Sequence, residues 1–210
     1  MPAAPALALT PDSVAQFERC IGTGGVAVFP ADTVYGIACN PGSRSSAARM
    51  HELKGRSEAR PSAVMFFQLE RALLALDWLG SRTTQALRRL LPGPVTAVVP
   101  NPQGRYALAA GGESLGLRVP RLEGRLTPLA HARIAVLQSS ANPTGGADAR
   151  RVSDIDTELL RGVDIVLDGG ELSGVPSTVV DLTRYEDEGV WKLLREAAVD
   201  RERVAELLTP

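Results

Sequence analysis

The chain has 210 residues, 44% hydrophobic and 22% charged, with a net charge of −1, which suits one globular domain spanning residues 1–210. The near-neutral balance excludes a chain-wide attraction to nucleic acid or anionic lipid and leaves any RNA contact to a local patch. No apolar run approaches the ~20 residues of a membrane span, residues 1–10 lack a signal peptide's basic segment, and Cys20 and Cys39 are too few and too far apart for a metal knuckle or redox pair, so a reduced cytoplasmic protein is expected.

Along the chain, Thr10-Pro11 reads as an N-cap followed by proline at the first helical position, with Val14, Phe17 and Ile21 on one face. Gly22, Gly24 and Gly25 stop that helix, and Val26 to Phe29 is a short buried strand ended by Pro30. Thr33 to Cys39 fits either a second extended piece or a loop. Ser43 to Leu53 has helical spacing at Ala47, Met50 and Leu53, and Gly55 terminates it. Ala63 to Phe67 is a strand candidate. Leu69 to Leu79 and Thr83 to Leu91 follow as helices broken at Gly80, then Pro92-Gly93-Pro94 as a firm breaker. Val95 to Val99 and Leu115 to Val119 read as strands joined by a glycine-rich loop. A helix near Leu126 to Ala132, a strand from Ile134 to Leu137 and a loop from Ser139 to Arg151 come next. Helix Asp154 to Arg161, strands Ile165 to Leu167, Thr178 to Leu182 and Val190 to Leu194, and helix Asp200 to Leu208 close the pattern. Strands and helices alternate irregularly, which predicts an α/β or α+β fold with a mixed sheet, whose ligand would sit where loops leave the carboxyl ends of strands.

The chemistry is narrowed first by what is missing. No Gly-x-x-x-x-Gly-Lys-Ser/Thr occurs, the glycines at 22, 24 and 25 precede a strand rather than open a helix, and no His-Glu-x-x-His occurs. His51 and His131 each lie in a helical pattern with no evident catalytic partner, which argues against a nucleophilic triad. Two tripeptides stand out, Lys54-Gly55-Arg56 and Ser140-Ala141-Asn142. Each places two polar groups at i and i+2, which point the same way in an extended segment. Lys54 and Arg56 would then aim two cations, and Ser140 and Asn142 a hydroxyl and an amide, at a carboxylate or phosphate chain. Such a set binds and orients, as nucleotidyl transfer requires.

These tripeptides occur in order with Pro30-Ala31-Asp32-Thr33-Val34-Tyr35-Gly36, Leu90-Leu91-Pro92-Gly93-Pro94-Val95-Thr96, Leu115-Gly116-Leu117-Arg118-Val119-Pro120 and Pro176-Ser177-Thr178-Val179-Val180-Asp181. The ordered set resembles the Sua5/YrdC family of threonylcarbamoyl-adenylate synthases, in its short YrdC type, from about Gly24 to about Val199. The resemblance implies a twisted open mixed sheet with flanking helices around a deep concave cavity, the YrdC/RibB-like arrangement, without the C-terminal domain of the longer Sua5 type. It implies synthesis of L-threonylcarbamoyl-AMP and pyrophosphate from L-threonine, bicarbonate and ATP. The product would pass to a tRNA threonylcarbamoyl transferase for modification of adenosine 37. Lys54 and Arg56 match the catalytic cations; Thr33, Arg118, Ser140 and Ser177 match threonine contacts. Arg56, Arg60, Ser114, Asn142 and Arg195 match ATP contacts. Tyr35 and Gly36 read as structural. Mg²⁺ would accompany ATP, with no protein side chain expected to bind it and no organic cofactor.

The chain departs from the family pattern at Met65, where many members have histidine, and at Ser62, where leucine is common. It departs again at Asp148-Ala149-Arg150 in place of a Ser/Thr-Pro step, and at Ala197 in place of glycine. Two rival readings remain. One is a non-catalytic protein binding double-stranded RNA or tRNA on the same concave surface, against which stand the net charge and the few aromatics. The other is an enzyme forming a carbamoyl-adenylate from carbamoyl phosphate, against which the hydroxyls of Thr33 and Ser177 favour an amino acid. Weak RNA binding beside the catalytic role is a further expectation, and membrane association is not expected.

Overall fold

A computed structural model describes residues 4–55, 62–109 and 112–209. Its strands are β1 (Ala6–Ala8), β2 (Ala27–Pro30), β3 (Tyr35–Cys39), β4 (Ala63–Phe66), β5 (Val95–Pro100), β6 (Ser114–Arg118), β7 (Ala135–Ser140), β8 (Ile165–Asp168), β9 (Thr178–Asp181) and β10 (Lys192–Arg195). The α-helices are α1 (Pro11–Gly22), α2 (Arg44–Leu53), α3 (Leu69–Ala75), α4 (Ser81–Leu90), α5 (Thr157–Gly162), α6 (Tyr185–Glu188) and α7 (Arg201–Leu208). These strands join into a single mixed sheet in the order β1-β8-β2-β3-β7-β4-β6-β5-β9-β10.

Alternate side chains of each strand go to opposite faces, and the two faces are built differently. One carries Val28, Ile37, Val64, Phe66, Ala97, Leu115, Leu117, Leu137 and Val180, packed with Met50 of α2, Ala72 of α3, Leu87 and Leu90 of α4 and Val204 of α7. The opposite face carries Ala27, Phe29, Ala38, Met65 and Val136, covered by Val14, Phe17 and Ile21 of α1 and by Leu129. Phe17, Phe29 and Phe67 meet there with centroids 5.6 to 6.1 Å apart. Gly36 is required beside this cluster, because a Cβ on it would come within 2.9 Å of the Phe29 ring. Across β7, β4, β6, β5 and β9 this second face is no longer closed by apolar side chains, and a cavity opens on it.

Local rules explain most elements. Thr10 caps α1, accepting from the Ser13 N–H while Ser13 reciprocates on the Thr10 N–H. Asp156 caps α5 and Asp200 caps α7 in the same way. Thr33 to Cys39 resolves into a strand only from Tyr35, antiparallel to β2 and β7.

Several elements differ from the sequence reading, among them the short helix α6, which it did not contain. Ala6–Ala8 forms a short edge strand parallel to β8, too short to give a periodic signal. The segment 124–131 is a 3-10 helix, with Pro128 inside it supplying no N–H to an α-helical ladder. The helix expected to reach Leu79 stops at Ala75, and Trp78 in the following turn donates to Pro100 O at 2.9 Å. The helix expected from Asp154 begins at Thr157, after a 3-10 turn over Val152–Asp154. Substituting Phe17, which is fully buried, with alanine should cost about 3–5 kcal/mol of unfolding free energy, read from the midpoint and slope of a urea titration.

Candidate active site

The cavity has a volume of about 510 Å³ and takes its floor from the polar half of the second sheet face. Its lining includes Ser114, Arg118, Ser140, Ser177 and Arg195, so five of the residues singled out in the sequence are brought together. Thr33, Lys54 and Asn142 stand behind this wall, bonded to residues on it. Arg56 and Arg60 lie outside the described residues.

Strand register sets the arrangement. One row across the sheet runs Val136, Met65, Arg118, Thr96, Val179 and Arg195. The next row runs Ala38, Gln138, Ala63, Gly116 and Val98, and beyond it Gly36 pairs with Ser140. Small side chains in the middle row make the depression. Larger polar groups stand at its sides.

Arg118 is 4% exposed. A strand arginine so enclosed needs an anion, and the structure supplies Asp32. The Arg118 Nη2 donates to Asp32 Oδ1 at 2.5 Å and its Nη1 to Thr33 Oγ1 at 3.3 Å. Asp32 Oδ2 in turn accepts from the Arg121 N–H at 2.9 Å, and the Thr33 carbonyl accepts from Gly174 N–H and Ser173 Oγ. Burial holds the Arg118 guanidinium below its usual pKa, an effect that the Asp32 carboxylate opposes and the nearby Arg195 cation reinforces. Arg118 Nε is buried with no hydrogen-bond partner. The sequence reading gave Arg118 an external carboxylate; its internal one, Asp32, was missed although it sits in a quoted motif.

Beside Arg118 in the same row, Thr96 meets Ser177, whose Oγ lies 2.8 Å from Thr96 Oγ1. The Arg195 guanidinium donates to Ser177 O from Nε at 3.0 Å and from Nη2 at 2.7 Å, and reaches Ser177 Oγ at 3.3 Å. Thr96, unassigned in the sequence, could have been found as the polar position alternating with Val95 and Ala97 on β5. Gln138 and Asp148 also line the cavity and were likewise missed; the signal for Gln138 is an amide inside the apolar run of β7.

Lys54 corrects the extended-segment argument. It is the C-cap of α2 with helical φ and ψ, and Gly55 has φ +57°, so Lys54 does not sit in an extended segment. The Lys54 ammonium is buried and donates to Ser140 O, to Asn142 O at 2.5 Å and to Asn142 Oδ1 at 3.3 Å. Thr144 returns two bonds to Lys54 O. The Asn142 amide is used within the same loop, accepting from Ser140 Oγ at 2.5 Å and donating to Gly146 O at 2.5 Å. Lys54 and Asn142 therefore fix the loop that presents Ser140.

Tyr35 joins the same framework. Its hydroxyl accepts from Gly169 N–H at 3.0 Å and lies 2.9 Å from Asp168 Oδ1 and 2.8 Å from Gly170 O. Burial and the Asp168 carboxylate push its pKa well above the usual tyrosine value, so it stays protonated and structural. Met65 is fully buried in the apolar cluster. Arg150 pairs with Glu171 at 2.7 Å rather than with the cavity. Burial also raises the thiols, Cys20 to about 11 and Cys39 to about 12. Among the described residues no three His, Cys, Asp or Glu side chains cluster as a metal site, and no helix is long and apolar enough to cross a membrane.

A family model for Sua5/YciO/YrdC proteins, described as "Telomere recombination", matches residues 19–197. The chain belongs to this family. It is 32% identical to a threonylcarbamoyl-AMP synthase of Hahella chejuensis over 77% of this chain and 89% of that one. It is 27% identical to one of Pyrococcus abyssi over 79% of this chain and 49% of that one. The chain thus spans about half the length of the archaeal relative and most of the Hahella one. Its fold matches P. abyssi Sua5 complexed with L-threonine, with a TM-score of 0.83 at 23% identity over 97% of this chain and 61% of that one. It also matches Escherichia coli YciO, with a TM-score of 0.75 at 21% identity over 97% of this chain and all of the other.

Removing Asp32 would leave the enclosed Arg118 cation without its anion. Asp32→Ala should lower stability by about 3–5 kcal/mol, measured by urea unfolding at neutral pH.

Proposed function

We propose that this protein is an L-threonylcarbamoyl-AMP synthase. The observation that carries the reading is a concave pocket in which two guanidinium groups, Arg118 and Arg195, stand among the hydroxyls of Thr96, Ser140 and Ser177. Such a site suits an anionic amino acid joined to a nucleotide and supplies no covalent nucleophile.

In this reading threonine and bicarbonate combine to an N-carboxylate with loss of water. A carbamate oxygen then forms a bond to the α-phosphorus of ATP as the bond to pyrophosphate breaks. Catalysis is positioning and charge stabilisation. Arg118, held by Asp32 and Thr33, takes the threonine carboxylate, and Ser177 with Thr96 takes the amino-acid side chain. Ser140, on the loop braced by Lys54 and Asn142, faces the reacting centre. Arg195 and Ser114 take the nucleotide, with Arg56 and Arg60 assigned to its phosphates. Mg²⁺, arriving on ATP, would neutralise the triphosphate. The product would go to a tRNA threonylcarbamoyl transferase in the cytoplasm.

The purified protein should convert ATP, bicarbonate and L-threonine to threonylcarbamoyl-AMP and pyrophosphate, followed by mass spectrometry; no product with all three substrates saturating would contradict the reading. Lys54→Ala should lower kcat/KM about 30-fold or more, a loss of ~2 kcal/mol of transition-state stabilisation, because it frees the Ser140–Asn142 loop and removes a cation. Steady-state kinetics would check it, with unaltered kinetics refuting the role.

A further inference from the structure

Gln138 is a polar side chain of the cavity that the proposed mechanism leaves without a task. It sits on β7, in register with Ala38 on one side and Ala63 on the other, and Gly116 follows Ala63 across the sheet. The neighbouring β7 side chains Val136 and Leu137 are fully buried and apolar, so burial alone gives no reason for an amide between them and Ser140.

Gln138 is 9% exposed and lines the cavity. An amide on the lining, bordered by alanines and glycine, has room for a ligand rather than a protein partner. Its row lies between two others. Ser140 is two residues further along β7, roughly 7 Å away at strand spacing. The row on its other side carries Arg118 and Thr96. Gln138 therefore lies in the row between that of Arg118, the cation assigned to the threonine carboxylate, and that of Ser140, at the loop assigned to the reacting centre.

What stands midway in the proposed product is the carbamoyl unit, a planar group with one N–H and a C=O. A carboxamide offers an N–H₂ donor and a C=O acceptor, which complement both. We infer that Gln138 binds the carbamoyl unit, donating to its oxygen and accepting from the threonine-derived N–H, and so selects the carboxylated amino acid over the free one. This inference rests on the synthase reading.

The test is the kinetics of Gln138→Leu, which keeps the volume, and Gln138→Glu, which keeps the acceptor but adds a negative charge. Each is compared with the natural chain under controlled bicarbonate. The expected result is a bicarbonate KM raised roughly tenfold or more in Gln138→Leu and a larger loss in Gln138→Glu. L-threonine binding measured calorimetrically in bicarbonate-free buffer should change less than about twofold, which also reports that the variants are folded. Bicarbonate dependence unchanged in both variants would overturn the inference while leaving the synthase intact. So would threonine affinity falling as far as the bicarbonate response, since Gln138 would then serve the free amino acid or the packing. An inactive natural chain would overturn the synthase reading and this inference with it.

Discussion

A guanidinium carried into the interior of a sheet is the constraint around which this protein is organised. Arg118 projects from β6 with almost no water to solvate it, and a charge so placed persists only with a fixed counter-charge. Asp32 supplies it, and Asp32 sits where it does because β2 ends at Pro30 and the chain turns back into β3. The Thr33 hydroxyl, the Arg121 N–H and the segment 173–174 close the arrangement. The turn before β3, the end of β6 and the loop after β8 are thereby tied to one point, although they are far apart in the chain.

Asymmetry between the sheet's faces follows from the same residues. Helices α2, α3, α4 and α7 close one face with aliphatic side chains. The opposite face is closed by α1 only where Phe29, Met65 and Val136 offer an apolar surface. Where Gly116, Ala63, Thr96, Gln138 and Arg118 come up instead, no amphipathic helix finds a complement, and the face stays concave and polar. A second buried charge shapes its rim. The Lys54 ammonium, emerging where α2 ends, gathers the carbonyls of the Ser140–Asn142 loop, so the loop is ordered by the protein's own cation.

Much of the fold could be read from the chain. The Thr10 cap, the β-branched runs and the Pro92 to Pro94 breaker each act through local sterics that neighbouring residues specify. The elements that escaped reading did so for different reasons, one distant and one local. Ala6–Ala8 is a strand only because β8 lies beside it, and Gly124–His131 takes the 3-10 form because Pro128 interrupts an otherwise helical spacing. The site was legible in the same degree. Arg118, Ser140, Ser177 and Arg195 arrive at one cavity from motifs far apart in sequence. The direction of Lys54 was not legible, because a helix end bounded by a positive-φ glycine does not alternate as a strand does. Thr96 and Gln138 carry only a faint local signal, a polar residue within an apolar strand, and gain their significance from cross-strand register; Asp32 gains its own from the ion pair with Arg118.

On the proposed function, the cavity is a threonine site completed by nucleotide. Its most direct test is calorimetric titration of L-threonine, with L-serine as the control, in the absence and presence of Mg²⁺ and a non-hydrolysable ATP analogue. Threonine should bind in preference to serine, more tightly once the nucleotide is present. Binding of neither amino acid, or equal binding of both without response to nucleotide, would contradict it.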